Sequence, residues 1–278
     1  MTRGRIAEAF RSAHGPLLVA CTVAGDPDYS RSVRIAGLLA ASGADMLELV
    51  MPFSDPVADG QVIQQAGARA LSAGMNTDRL FDLVRDVRNG TEIPLLIMTY
   101  ANIVLQRGPV RFYQEAARAG ADGVVVADVP VEEAGPFCSA ALDTGIDLIL
   151  LVSPTTSEER LEKILGASRG FVYLIAAMGV TGAREGVSAD VLAFLRHVRD
   201  RSDLPVVPGF GISTPAHVRE FVRAGADGVI VGSALVGLIG EYGGRQGKME
   251  EALTQLVRDM KAAMREEAKP ETPAGYRP

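Results

Sequence analysis

Apolar residues in this 278-residue chain gather in short continuous runs rather than in strict alternation. Eight such runs lie at residues 17–23, 46–50, 93–98, 123–127, 147–152, 171–175, 205–208 and 228–231. Runs of this length, without alternation, read as strands covered on both faces, as in a parallel sheet. The stretches between them carry helical signals. Helices are expected at 6–13, 30–41, 63–73, 77–88 (with Thr77 as a cap), 109–119, 132–144, 157–167, 188–200 and 214–224. A short one should follow Ser233, and a long one should run over 248–267. Three helix-to-strand junctions repeat one phrase: Gly43-Ala44-Asp45, Gly120-Ala121-Asp122 and Gly225-Ala226-Asp227. Each puts Gly at a helix stop and Asp ahead of the next strand. Eight strand–helix units in this length predict an α/β fold, a (β/α)₈ barrel with extra short helices, with a doubly wound open sheet as the rival. The expected organisation is one barrel domain over 1–267 and a disordered tail over 268–278, where Pro270, Pro273 and Pro278 fall.

Composition narrows the picture. Hydrophobic residues make up 47% of the chain but aromatics only 5%, with no Trp, so aliphatic side chains must fill the core. A net charge of −6 argues against nonspecific nucleic-acid binding. The two cysteines, Cys21 and Cys138, form neither a zinc pattern nor a disulfide framework and read as small buried residues. The amino-terminal stretch lacks the continuous apolar segment of a signal peptide, and no run reaches the length of a membrane span, so a cytoplasmic location is expected.

The candidate chemistry sits in one stretch, Leu47 to Gly60. Within the apolar run at 46–50, Glu48 shares a face with Met46 and Val50. A carboxylate in a buried strand shifts its pKa or finds a partner, which makes it a candidate general acid/base; a structural pairing with an Arg is the plainer alternative. The following loop holds Ser54, Asp55 and Asp59 between Pro52, Pro56 and Gly60, stiff and polar at the carboxyl end of a strand. In a barrel the site lies at that end. There too fall Gly209-Phe210-Gly211 after the seventh strand and Gly232-Ser233 after the eighth, glycines that let backbone N–H groups approach an anion, the second opening a helix. Phosphate binding is the reading, bare turns the alternative. Gly179, Gly182 and Gly186 mark the loop after the sixth strand as a candidate lid. Tyr173 could turn its hydroxyl toward a carboxylate or serve as core, and Asp128 could bind a substrate, a subunit or only water. No metal constellation is visible. Two carboxylates without a metal suit isomerisation, aldol-type cleavage or elimination.

The segment Leu47 to Gly60 resembles the signature of tryptophan synthase α chains, a Leu-Glu strand leading into Pro-Phe-Ser-Asp-Pro-x-Ala-Asp-Gly. Similarity continues through Ala24-Gly25-Asp26-Pro27, Ala127-Asp128-Val129-Pro130, Gly179-Val180-Thr181-Gly182, Gly209-Phe210-Gly211-Ile212 and Gly232-Ser233-Ala234, in the family's order over residues 5–265. The resemblance implies a carbon–carbon lyase of tryptophan biosynthesis. It would cleave indole-3-glycerol phosphate to indole and glyceraldehyde 3-phosphate in an αββα heterotetramer, with no cofactor in this chain and pyridoxal phosphate in the β subunit. It implies Glu48 as the acid/base and Asp59 as the carboxylate that offsets charge at the indole nitrogen, with Tyr173 beside the Glu. Gly182, Phe210, Gly211, Gly232 and Ser233 would hold phosphate, and Thr181 would be the lid residue that orders Asp59. The sequence departs from the pattern at Val50 (often Gly), Gln61 (often Pro), Cys21 (often an aromatic lining the indole pocket) and Ala176-Ala177-Met178 (usually Ser-containing). Competing expectations are a stand-alone lyase, a regulatory binding barrel and a different phosphate-binding barrel enzyme.

Overall fold

The computed structural model describes residues 4–176 and 186–267. Among the described residues, eight strands follow one another around a closed circuit: β1 (Leu17–Val23), β2 (Met46–Val50), β3 (Leu95–Thr99), β4 (Gly123–Val126), β5 (in two segments, Asp147–Ile149 and Leu151–Val152), β6 (Val172–Ile175), β7 (Val206–Gly209) and β8 (Gly228–Val231). All pairings are parallel. The ladder runs from β8 through β1, β2, β3 and β4 to the first segment of β5, and resumes from the second segment through β6 to β7. The seam between β7 and β8 is bridged by Asp227, whose N–H donates to Val206 O at 3.1 Å while its carboxylate accepts from Val206 N at 2.8 Å. Helices cover the outside, and the expected barrel is the fold. Its wall is built of Leu, Val, Ile and Ala, buried almost without exception along every strand. At the amino-terminal end of the barrel, the helix Arg5–Ser12 inserts Ile6, fully buried, close enough that a Cβ on Gly123 would lie 3.0 Å from it.

The repeated Gly-Ala-Asp phrase is one device used three times. Gly43, Gly120 and Gly225 take positive φ (113°, 96° and 98°), a backbone that L side chains rarely adopt. The N–H groups of Ala44, Ala121 and Ala226 then donate back to Leu39, Ala116 and Phe221, closing the preceding helix. Each Asp clasps the neighbouring strand: Asp45 accepts from Leu18 N at 2.6 Å, Asp122 from Leu95 N at 2.9 Å and Asp227 from Val206 N at 2.8 Å. Their charges are met by Lys261, Arg88 and Arg199 respectively. Strand ends that would otherwise leave N–H groups unpaired are satisfied in this way.

The structure corrects several element boundaries. The fourth helix starts with Thr77, and the cap is Asn76, whose side chain accepts from Arg79 N at 3.0 Å. The single helix expected over 132–144 is a 3₁₀ turn, Val131–Glu133, followed by Gly135–Thr144, because Pro136 can enter a helix only at its first turn. An additional helix, Ala101–Arg107, follows β3. Asp128 contributes to it: its carboxylate accepts from Ala101 N at 2.7 Å, the first residue of that helix, so Asp128 has a local structural partner. The tail over 268–278 and the lid residues Thr181 and Gly182 lie outside the described residues.

Candidate active site

Glu48 stands in the middle of β2, between Cys21 of β1 and Leu96 of β3 in the ladder register. It is fully buried, and among the described residues neither carboxylate oxygen has a hydrogen-bond partner. No Arg among the described residues pairs with it, so the structural pairing considered for it is not seen there. An unpaired buried carboxylate is costly, and desolvation raises the Glu48 pKa from 4.5 to about 7. The Cys21 thiol alongside it pulls in the opposite direction, and the charge of Asp59 adds to the rise. Near neutrality, Glu48 thus exchanges its proton readily.

Asp59 ends the loop after β2 and stands just ahead of the helix Gln61–Ser72. Partial burial raises its pKa from 3.8 to about 6. Tyr100 opposes this. Its hydroxyl accepts from Ala58 N at 3.3 Å and, as a donor to Asp59, pulls that carboxyl back down. The Tyr100 ring is buried and stacks on Phe53 at 5.2 Å, so one residue after β3 grips the loop after β2 at three points. A second clamp holds the far side: Arg69, on the helix after Asp59, binds the buried Asp26 through two hydrogen bonds of 2.8 and 2.9 Å. Sequence reasoning assigned no role to Tyr100 and missed the Asp26–Arg69 pair. The only available signal was an acid in the turn after β1, beside Pro27.

Tyr173 lies on β6 and is buried. Desolvation, then the charge of Glu48, pushes its hydroxyl well above the ordinary tyrosine range, so it stays protonated. It packs tightly on Gly209, where a Cβ would come within 2.5 Å of its hydroxyl oxygen, and lies 5.6 Å from the Phe210 ring. Phe210 itself takes φ +68° and Gly211 φ +83°, two successive left-handed residues that turn the chain after β7. Beyond it, Gly232 precedes the ten-residue helix Ser233–Tyr242, whose first N–H groups have no side-chain cap.

These groups share one cavity of about 280 Å³, lined by Cys21, Glu48, Asp59, Tyr173, Phe210, Gly211, Gly232 and Ser233 together with Val50, Met98 and Ile230. Its lining combines the two carboxyls with glycine backbone and a helix N-terminus, which favour an anion. Val50, Met98 and Ile230 supply apolar surface that suits an aromatic ring. Of the nine site residues read from the sequence, the seven within the described residues line this cavity; Thr181 and Gly182 fall outside them. Among the described residues no group of His, Cys, Asp and Glu could hold a metal ion, and no helix is long and apolar enough to cross a membrane.

Comparison with known proteins gives this geometry its context. The sequence profile of the tryptophan synthase alpha chain family matches residues 8–265. The tryptophan synthase alpha chain of Methanoregula boonei is 48% identical over 260 residues, spanning 94% of this chain and 98% of that protein. Among solved structures, the alpha chain from Legionella pneumophila superposes with a TM-score of 0.86 at 33% identity, covering 94% of this chain and 97% of that one. A chain of the tryptophan synthase complex from Pyrococcus furiosus does so with 0.81 at 34% identity, covering 89% and 98%. The chain belongs to the tryptophan synthase alpha chain family, lyases that cleave indole-3-glycerol phosphate to indole and glyceraldehyde 3-phosphate.

Proposed function

We propose that Glu48 and Asp59 divide the work of this cleavage between them. The carrying observation is a fully buried carboxyl without a hydrogen-bond partner among the described residues, lining the same cavity as a second, anionic one. Neutral Glu48 donates its proton to indole C3, which makes the ring cationic. Asp59, ionised, offsets the positive charge that reaches the ring nitrogen. Glu48, now a carboxylate, takes the proton of the adjacent glycerol hydroxyl. The bond between C3 and that carbon breaks, its electrons return to the ring, and indole and the aldehyde result. The proton count closes, because Glu48 ends protonated as it began. Tyr173, held protonated, packs beside Glu48 and narrows the ring slot. The phosphate rests on Phe210, Gly211, Gly232 and Ser233, with Gly182 adding to the cradle and Thr181 ordering Asp59.

The same reading takes residues 1–267 as one barrel domain working in the cytoplasm. It needs no cofactor of its own and associates with a β subunit that carries pyridoxal phosphate, as αββα. The test is indole release from indole-3-glycerol phosphate by the purified chain, with and without a tryptophan synthase β subunit. Slow release that rises strongly with β supports the assembly. Fast release unchanged by β would make the chain a stand-alone lyase, and no release in either case would overturn the assignment of roles.

A further inference from the structure

The cleavage described above leaves Glu48 as a bare carboxylate between its two proton transfers, in a barrel that completes no hydrogen bond to it among the described residues. A buried carboxylate without donors is strongly disfavoured, so that moment needs an answer. One side chain is placed to give it. Cys21 is the β1 residue directly opposite Glu48 in the parallel ladder, and both side chains line the catalytic cavity. On the other side of Cys21, a Cβ at Gly232 would lie 3.2 Å from its sulfur, so the thiol stands between the acid and the start of the helix Ser233–Tyr242. The β3 residue opposite Glu48 is Leu96, which has nothing to donate. The other titratable groups lining the cavity, among the described residues, are Asp59 and Tyr173. Asp59 carries like charge and pushes the Glu48 pKa up, and the Tyr173 hydroxyl packs on Gly209. Of the groups around it, the thiol alone pulls the Glu48 value down. Burial, then the charge of Glu48, holds the thiol itself far above its usual range, so it remains S–H, a donor, around neutral pH.

We infer that Cys21 is a positioning residue for the cleavage, its thiol turning to donate a hydrogen bond to the Glu48 carboxylate when that carboxylate forms and leaving the neutral acid alone. The inference rests on the role given to Glu48 above. A contact made only to the carboxylate is absent while substrate binds, so it lowers the barrier to proton donation and leaves substrate affinity as it was. No proton leaves the sulfur, and the proton count of the reaction is unchanged. S–H is a weak donor, so the contribution is modest, and the rest of the carboxylate's demand is left to what enters the cavity.

The experiment compares pH–rate profiles of indole release for the parent chain, Cys21→Val and Cys21→Ser. Valine fills the place of the sulfur, keeps water out and cannot donate; serine keeps a donor on the same Cβ. In Cys21→Val the alkaline limb should move to higher pH by about half a unit to one unit, and kcat should fall about three- to tenfold with KM held. The acidic limb, which belongs to Asp59, should stay. Cys21→Ser should return kcat and the alkaline limb toward the parent. A second measurement needs neither turnover nor a folded Cys21→Val chain: the S–H stretching band of the parent, followed by infrared spectroscopy as pH is raised. The Cys21 band, identified by its loss in Cys21→Ser, should move to lower frequency as Glu48 ionises near pH 7, while the band of Cys138, the only other thiol, stays in place. An unmoved Cys21 band would overturn the inference, as would an alkaline limb that Cys21→Val leaves where it was, or a Cys21→Ser chain that behaves like Cys21→Val. Failure of the Glu48 role itself reads differently: Glu48→Gln would keep its turnover, which none of these three results entails.

Discussion

Glu48→Gln keeps the shape of the side chain and removes its titration, so it separates two consequences of burying an acid. The first is catalytic. The substituted amide can neither give a proton to C3 nor take one from the hydroxyl, and general acid/base groups contribute about 10² to 10⁴ in rate. Turnover should fall by that factor while the affinity for substrate phosphate holds. The second is a gain in stability that depends on pH. In the folded protein Glu48 titrates near 7, against an ordinary 4.5. Below pH 4.5 both states are protonated and the group costs nothing. Between 4.5 and about 7 the unfolded chain releases the proton and the fold retains it, so stability declines as pH rises. Above 7 the whole penalty is present, at most about 3 kcal/mol. The variant never incurs it. Urea unfolding of parent and variant should therefore give similar midpoints near pH 4.5 and a higher midpoint for the variant at pH 8, with equal slopes. A variant less stable than the parent at pH 8, or one with near-parent turnover, would refute the view that Glu48 is a catalytic group held at the expense of the fold.

The pH dependence of kcat/KM for the parent should be bell-shaped and narrow. Activity is lost below about 6 as Asp59 gains a proton and above about 7 as Glu48 loses one, the two values belonging to the interacting pair; a flat profile from 5 to 9 would contradict the division of roles. Tyr100→Phe removes the hydroxyl that lowers Asp59, so the acidic limb should move to higher pH while the alkaline limb stays; pH–rate profiles of the two proteins decide it. Gly209→Ala puts a carbon 2.5 Å from the Tyr173 hydroxyl, and overpacking of about 1 to 3 kcal/mol should appear in thermal unfolding together with loss of activity. Asp45→Ala leaves Leu18 N and Lys261 without their partner at the opposite end of the barrel, so it should cost about 1 to 3 kcal/mol in unfolding free energy and leave kcat unchanged.

The parts of the architecture that local chemistry determines were legible before the structure. Each β-run lacks alternation because both faces are covered, and that alone separates a parallel barrel from a sandwich. Caps at Ser157, Ser188 and Thr214 were legible for a similarly local reason, since each side chain acts within three residues of itself. Asn76 was not, because Asn76-Thr77 offers two competent caps in a row and only the backbone path selects between them. The break in β5 at Leu150 was likewise hidden in a continuous apolar run, where one strand changes partners between β4 and β6. Glu48 could be placed because a charge inside an apolar strand violates its surroundings. Tyr100 and Arg69 could not, because a tyrosine after a strand and an arginine on a helix violate nothing; their roles arise from contacts 42 and 43 residues away in sequence.

The barrel treats its carboxylates differently at its two ends, and β2 shows both treatments within three residues. At the foot of the strand, Asp45 receives a backbone N–H and a lysine, each at 2.6 Å, so its charge is held in place by groups from β1 and from the last helix. Further along the strand, Glu48 is placed where the cavity begins and, among the described residues, is given no hydrogen-bond partner at all. Both acids are products of the same backbone geometry, yet one is satisfied by neighbouring elements and the other can be satisfied only by what enters the cavity. The carboxylates at the foot can be removed at a cost to stability alone, whereas those at the mouth leave stability unclaimed so that a proton remains available near pH 7. A chain that satisfied Glu48 with a fixed cation, by Cys21→Lys for instance, should lower the acid's pKa, move the alkaline limb of the bell to lower pH and lose turnover at neutral pH, because the proton that C3 requires would no longer be on the carboxyl there.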